Sequence, residues 1–259
     1  FIILFHYTLW YPALHMALLE LKDLSLTIDE HKILQGISFD VEEGQIIGLI
    51  GPNGSGKTTL FNVISGFLKS SGGSITLGGE DISSLSPSLR AKRGIGRVFQ
   101  NFGIFRDMTL EENILVALEA LPKDQQKELG DLKEVVAGTL DMVGLSDSGK
   151  KKAGSLSGGQ MRLLEIARTL KAGKGLFLLD EPTAGVSPKM TGQVADIIKE
   201  LKRSGKTVLI IEHDLPFIGS ICDEVVVLDV GKVVLQGTPA EVKESKELKE
   251  IYFGADPTT

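Results

Sequence analysis

Ile46-Ile47-Gly48-Leu49-Ile50-Gly51-Pro52-Asn53-Gly54-Ser55-Gly56-Lys57-Thr58-Thr59 is the stretch that decides the fold. Its first five residues are apolar without alternation, the pattern of a strand covered on both faces in a parallel sheet. The spacing G-x-x-x-x-G-K-T follows at once, and Leu60-Phe61-Asn62-Val63-Ile64 continues as an apolar helical run. A glycine-rich turn between a buried strand and a helix points backbone amides inward beside the positive end of that helix, which makes a cradle for phosphate. In this reading Gly51, Asn53, Gly54, Ser55, Gly56 and Thr59 form the cradle, Lys57 reaches the β and γ phosphates, and Thr58 holds Mg2+. By itself the loop specifies a nucleoside triphosphate and leaves kinases, GTPases and ATPases open.

Working outward, the buried-strand pattern returns at residues 176–179 and 208–211, with helical stretches at 161–172 and 193–202. Strands alternating with helices predict a covered parallel sheet. Upstream, the runs at 24–28 and 37–41 alternate apolar with polar, as antiparallel strands with one wet face do. Downstream, 225–228 and 233–235 flank the turn Asp229-Val230-Gly231-Lys232 and read as a closing hairpin. Residues 101–154 differ: helical patterns there are interrupted by Pro122, Gly130 and Gly144, and the stretch reads as a helical insertion. Within it, Thr109-Leu110-Glu111-Glu112 is a capping box, which opens a helix over 110–121. Lys150-Lys151-Lys152 reads as a solvated loop.

At 259 residues, 42% hydrophobic, 24% charged and with 30 glycines, the chain suits one ordered α/β domain with subdomains. The net charge of −6, from 28 basic and 34 acidic residues, lacks the basic footprint that nucleic acid demands. The single cysteine, Cys222, has no internal partner for a disulfide, fits a reducing compartment and reads as core packing. Residues 1–15 stand apart, with the only tryptophan, Trp10, and two of the three tyrosines, Tyr7 and Tyr11. They fall short of the about 20 apolar residues of a spanning helix and lack the basic start and cleavage site of a signal peptide. Met16 opens an alternating first strand, so 1–15 reads as a non-native or disordered leader; an amphipathic surface anchor is the alternative, disfavoured by the absence of a lysine-rich face.

Leu156-Ser157-Gly158-Gly159-Gln160 precedes the second long helix. Ser157 and Gln160 make another capping box, which leaves two glycine amides in an exposed first turn, a second phosphate-binding helix start. Following the phosphate loop in this order, the motif resembles the signature of the ATP-binding cassette (ABC) family, and further motifs cover the chain from about Leu19 to Gly254. Asp180 and Glu181 end a buried strand as two carboxylates suited to holding Mg2+ and activating water. Gln100 resembles the family's glutamine that reaches metal and attacking water, and His213 resembles the switch histidine that contacts the γ phosphate. Two positions depart from the family pattern. Ser187 in Ala184-Gly185-Val186-Ser187-Pro188 replaces a usual aspartate, and Ile28 stands where an aromatic residue commonly stacks on adenine. Aromatic pairs gain only about 0.5–1.5 kcal/mol beyond area burial, so ATP binding is expected to survive with looser base selectivity.

The resemblance implies a RecA-like P-loop NTPase core with a parallel sheet, an N-terminal antiparallel β subdomain and an inserted helical subdomain. The expected division is one domain over 16–254: core and β subdomain at 16–100 and 155–236, helical subdomain at 101–154, a C-terminal helical tail at 237–254, and a final tail at 255–259. It also implies an ATP- and Mg2+-dependent ATPase whose site is shared, with ATP on one subunit's loop closed by Ser157, Gly158, Gly159 and Gln160 of a second, identical or paralogous. The remaining partners implied are transmembrane permeases and, indirectly, an extracytoplasmic substrate-binding protein, which places the chain peripherally at the cytoplasmic face of the membrane. The stretches Val98-Phe99-Gln100-Asn101-Phe102 and Phe105-Arg106-Asp107-Met108-Thr109, with the ending Tyr252-Phe253-Gly254, are similar to the ATPases of branched-chain amino-acid importers. ATPases for urea and for lipopolysaccharide export share much of this pattern. An ABC ATPase without a membrane channel is a rival that shares every catalytic motif, and a non-hydrolysing nucleotide-binding module is another, opposed by Glu181 and His213.

Overall fold

The computed structural model describes residues 17–98, 103–173 and 175–253. The leader at 1–15 and Gln100 therefore lie outside the described residues. The described residues open with β1 (Ala17–Ile28) and β2 (His31–Glu42), an antiparallel pair joined through Asp29 and Glu30, both at positive φ. Next come β3 (Ile46–Ile50), α1 (Lys57–Ile64), β4 (Gly72–Leu77), β5 (Glu80–Asp81), α2 (Pro87–Lys92) and β6 (Ile95–Val98). The helical stretch holds α3 (Leu110–Glu119), α4 (Lys123–Leu129) and α5 (Leu132–Met142). After it run α6 (Gly158–Ala172), β7 (Leu176–Asp180), α7 (Pro188–Arg203), β8 (Thr207–Ile211), α8 (Leu215–Ile221), β9 (Glu224–Asp229), β10 (Lys232–Gly237), α9 (Pro239–Glu244) and α10 (Lys246–Phe253).

Two sheets result. The larger has the order β10-β9-β3-β8-β7-β6, parallel throughout except for the β9–β10 hairpin. β3, β7 and β8 are buried along their whole length, as their apolar runs at 46–50, 176–179 and 208–211 require of strands covered on both faces, with Asp180 and Thr207 buried at the strand ends. The smaller sheet, β2-β1-β4-β5, is antiparallel. Alternation along β3 divides the core: Ile47 and Leu49 join the cluster formed with β1, β2 and α1, while Ile46 and Ile50 join the cluster under the helices. Each such fully buried side chain contributes about 1.5–3 kcal/mol of transfer free energy, so the sheet is anchored from both sides. Cys222 packs against the second cluster, as expected of a core residue.

Several boundaries differ from the sequence reading. The helix expected over 161–172 begins at Gly158, because Ser157 and Gln160 satisfy the first-turn amides reciprocally. The helix expected over 193–202 begins at Pro188, where proline at the first position loses no hydrogen bond. The helix expected over 110–121 ends at Glu119, and Pro122 then caps α4. β4 and β5 join the small sheet without having been read from the sequence. β4 begins with two exposed glycines and is defined by its pairing with β1, Leu19 opposite Leu77 and Leu21 opposite Ile75. Lys150, Lys151 and Lys152 are exposed, yet their backbone is not idle: the Lys151 carbonyl accepts from Leu110 N–H and fixes the start of α3.

Candidate nucleotide site

β3 ends and α1 begins on either side of the loop 51–56, so the buried strand and the helix fix both ends of the turn. Gly51 has φ 148, and a Cβ there would lie 2.0 Å from the Leu228 carbonyl oxygen, so only glycine fits. Lys57 folds back over the loop, its Nζ donating to the carbonyls of Gly51 at 2.8 Å and Pro52 at 2.9 Å. The contact to Ser55 Oγ is long, 3.5 Å, so the third N–H is the one most readily given to a phosphate. Burial lowers the Lys57 pKa, and the nearby carboxylates Glu181 and Asp180 oppose that shift.

A cleft of about 130 Å³ opens over this loop, lined by Asn53, Gly54, Gly56, Lys57, Thr58 and Thr59 together with Glu181 and His213. β7 delivers Asp180 and Glu181 at its C-terminal end, and β8, its parallel neighbour, delivers Glu212 and His213 just beyond its own. Glu181 Oε1 lies 3.0 Å from His213 Nε2. Glu181 has φ 48, and its backbone is pinned by its N–H to the Ile211 carbonyl and by Arg162 Nη2, which donates to its own carbonyl at 3.3 Å. Glu212 accepts from both N–H and hydroxyl of Thr183, which ties the segment after Glu181 to β8. The structure thus gathers loop residues, Glu181 and His213 into one cleft.

Asp180 lies one step deeper, buried, with Arg97 Nη2 3.7 Å from its Oδ2. Burial raises the Asp180 pKa, and the Arg97 guanidinium counters this. Arg97 is itself held by Nη1, which donates to Asn62 Oδ1 and Ser65 Oγ, and by the rings of Phe61 and Phe67 near its guanidinium carbon. A hydroxyl at Thr58 and a carboxylate at Asp180 are hard oxygen donors, the set Mg2+ uses when phosphates supply further ligands. Among the described residues no cluster of three His, Cys, Asp or Glu side chains forms a self-sufficient metal site. The donor chemistry of Thr58 and Asp180 is compatible with a metal carried with a nucleotide.

The other expected site residues are elsewhere. Ser157 to Gln160 cap α6, with Gln160 N–H donating to Ser157 Oγ at 3.3 Å and Ser157 N–H to Gln160 Oε1 at 3.0 Å, and none of the four lines the cleft. A Cβ at Gly159 would lie 2.5 Å from Met190 Sδ of α7, a contact that the flexible methionine side chain would have to yield to. Ile28, 42% exposed at the end of β1, also lies outside the cleft lining. Ser187 caps α7 without a side-chain hydrogen bond. Sequence reasoning missed Arg97, Arg162 and Glu165. Glu165 accepts from the Gly103 N–H at 2.9 Å and from Arg162 Nη1 at 3.0 Å, and so connects the segment after residue 102 to α6 and onward to Glu181. The available signal was charge on an apolar helix face, where a buried ion needs a partner.

Fold and cleft together define a P-loop nucleoside triphosphatase. The profile of the ABC transporter family matches residues 34–184, and the chain belongs to that family. It is 36% identical over 250 residues to the high-affinity branched-chain amino acid transport ATP-binding protein BraF of Pseudomonas aeruginosa, covering 92% of this chain and 98% of that protein. It is likewise 36% identical to the lipopolysaccharide export system ATP-binding protein LptB of Haemophilus influenzae, covering 92% of this chain and 98% of that one. Among solved structures, the ADP conformation of MJ1267, an ATP-binding cassette of an ABC transporter, superposes with a TM-score of 0.81 at 34% identity, covering 93% of this chain and all of that one. The chain is an ATP-hydrolysing ABC subunit that binds nucleotide. No helix among the described residues is long and apolar enough to cross a membrane.

Proposed function

We propose that this chain powers import of branched-chain or chemically related amino acids, acting at the cytoplasmic face of a cell membrane on permease subunits fed by an extracytoplasmic binding protein. The observation that carries the cargo is the identity to BraF over 98% of its length. Equal identity to LptB supports a second reading, lipopolysaccharide export. ATP-driven uptake of labelled leucine by vesicles holding this chain with permeases and binding protein of a branched-chain amino-acid importer from the same source tests the first. Vesicles that hydrolyse ATP but move no amino acid would overturn the cargo and leave the ATPase standing.

In the hydrolytic step the loop amides and Lys57 bind the triphosphate, and the Glu181 carboxylate orients the attacking water and takes its proton. His213, 3.0 Å away, holds that carboxylate in place and faces the same cleft. Thr58 and Asp180, with Gln100, would hold Mg2+, which when bound would neutralise phosphate charge. Ser157 and the amides of Gly158 and Gly159 serve a nucleotide on a second subunit, a reading supported by their absence from the cleft of their own chain. Glu181→Gln keeps the shape and removes the base. It should lower ATP turnover by about 100-fold or more while ATP still binds, because proton transfer contributes about that much. Turnover equal to the parent protein would exclude Glu181 as the base.

A further inference from the structure

Gly51 is held from two sides. Its carbonyl accepts from Lys57 within the loop, and its N–H donates to the phenolic oxygen of Tyr252 at 3.0 Å, a residue of α10 near the other end of the chain. That amide is the first backbone donor past β3, whose ladder with β9 runs only as far as Ile50 opposite Val227. Having no strand partner and lying part-buried, it needs an acceptor from elsewhere. α10 supplies it: Ile251 and Tyr252 pack against the core under the helices, and Leu248, one turn earlier, is buried. Next to this tether the seam between β3 and the terminal helices is not close-packed. A cavity of about 280 Å³ remains, lined by Ile50, Leu215, Val225, Val242 and Leu248 among others. The polar link therefore carries more of the coupling between α10 and the loop than a filled seam would leave to it.

We propose that Tyr252 is a positioning residue for nucleotide binding, its hydroxyl fixing the Gly51 amide and, through that residue, the anchor of Lys57. The inference rests on the reading of residues 51–59 as the nucleotide cradle. Gly51 joins the two bonds in a single residue. If its N–H loses the phenol, the 50–51 peptide gains freedom, the Gly51 φ is no longer fixed, the adjoining 51–52 peptide that carries the Gly51 carbonyl loses its alignment with Lys57, and the ammonium loses one of its two good anchors. Burial raises the Tyr252 pKa, opposed by the Gly51 amide, so the side chain presents a hydroxyl rather than a phenolate at neutral pH.

Tyr252→Phe removes only the oxygen. Calorimetric titration should show about tenfold weaker binding of ADP and ATP alike, the result if the released loop holds its binding conformation about a tenth of the time. KM for ATP should rise in step, with kcat at saturating ATP retained. In protein labelled with 15N-glycine the Gly51 amide should exchange faster. Leu248→Ala, which loosens α10 without touching Gly51, is the reference for a merely structural role. An equal loss of affinity in both variants, or unchanged Kd for both nucleotides in Tyr252→Phe, would overturn the proposal. So would a fall in kcat with KM unchanged. ADP binding by the parent protein is measured first: its failure would bring down the cradle reading, whereas success there with no effect of Tyr252→Phe would bring down the Tyr252 inference alone.

Discussion

Glu181 occupies a left-handed backbone conformation, φ 48, that costs a residue with a side chain about 1–3 kcal/mol and persists only where surroundings over-determine it. Here they do: Ile211 takes its N–H, Arg162 donates to its carbonyl and His213 meets its carboxylate. The distortion turns the carboxylate out of the line of β7 and into the cleft, while Asp180 stays buried. The glycines of the loop are constrained unequally at the same scale. Gly51 and Gly54 both have positive φ, but a Cβ at Gly51 meets the Leu228 carbonyl and one at Gly54 meets nothing within 4 Å. Gly54→Ala should therefore cost only its backbone strain, about 1–2 kcal/mol, and Gly51→Ala should cost more than about 3 kcal/mol because β9 must also move. Urea unfolding midpoints check this, and equal losses would show that the loop relaxes freely at Gly51.

At the scale of elements, the start of α6 has two duties that one substitution separates. The Ser157 hydroxyl caps the helix, and its loss should destabilise the protein by about 1 kcal/mol, the usual worth of such a cap. If the exposed first turn also completes a partner's nucleotide site, Ser157→Ala should reduce ATP turnover by about tenfold or more, beyond any effect of so small a loss of stability. Turnover reduced no further than in a variant of matched stability elsewhere, such as Thr238→Ala at the cap of α9, would confine Ser157 to its structural duty. Caps of this kind were legible before the structure because their chemistry is local: Thr109 with Glu112, and Ser157 with Gln160, each lie three residues apart. β3 and its loop were legible for the same reason. The ties that hold the chemistry in place were not. Tyr252 with Gly51, Arg162 with the Glu181 carbonyl, and Arg97 with Asp180 join residues far apart in the chain, and no periodicity marks them.

At the scale of the whole molecule, the parallel sheet presents the ends of β3, β7 and β8 to a single cleft, and Ser157 at the start of α6 is not among the residues that line it. On the proposed reading this cleft is half of a site, and a two-fold pair of chains would supply the other half to each. Complementation tests this directly. Lys57→Ala removes the phosphate lysine, and Ser157→Arg blocks the signature turn; each homodimer then has two damaged sites. In a mixed dimer one site takes both defects and the other is intact. Equal mixing of the two inactive variants should thus restore roughly a quarter of the parent ATPase rate, if chains pair at random and sites hydrolyse independently. A site contained within one chain predicts no recovery at any ratio, and dependence on a paralogous partner predicts recovery only when that partner is added. The dependence of the restored rate on mixing ratio, greatest at equal amounts, identifies the shared dimer against simple contamination by parent protein.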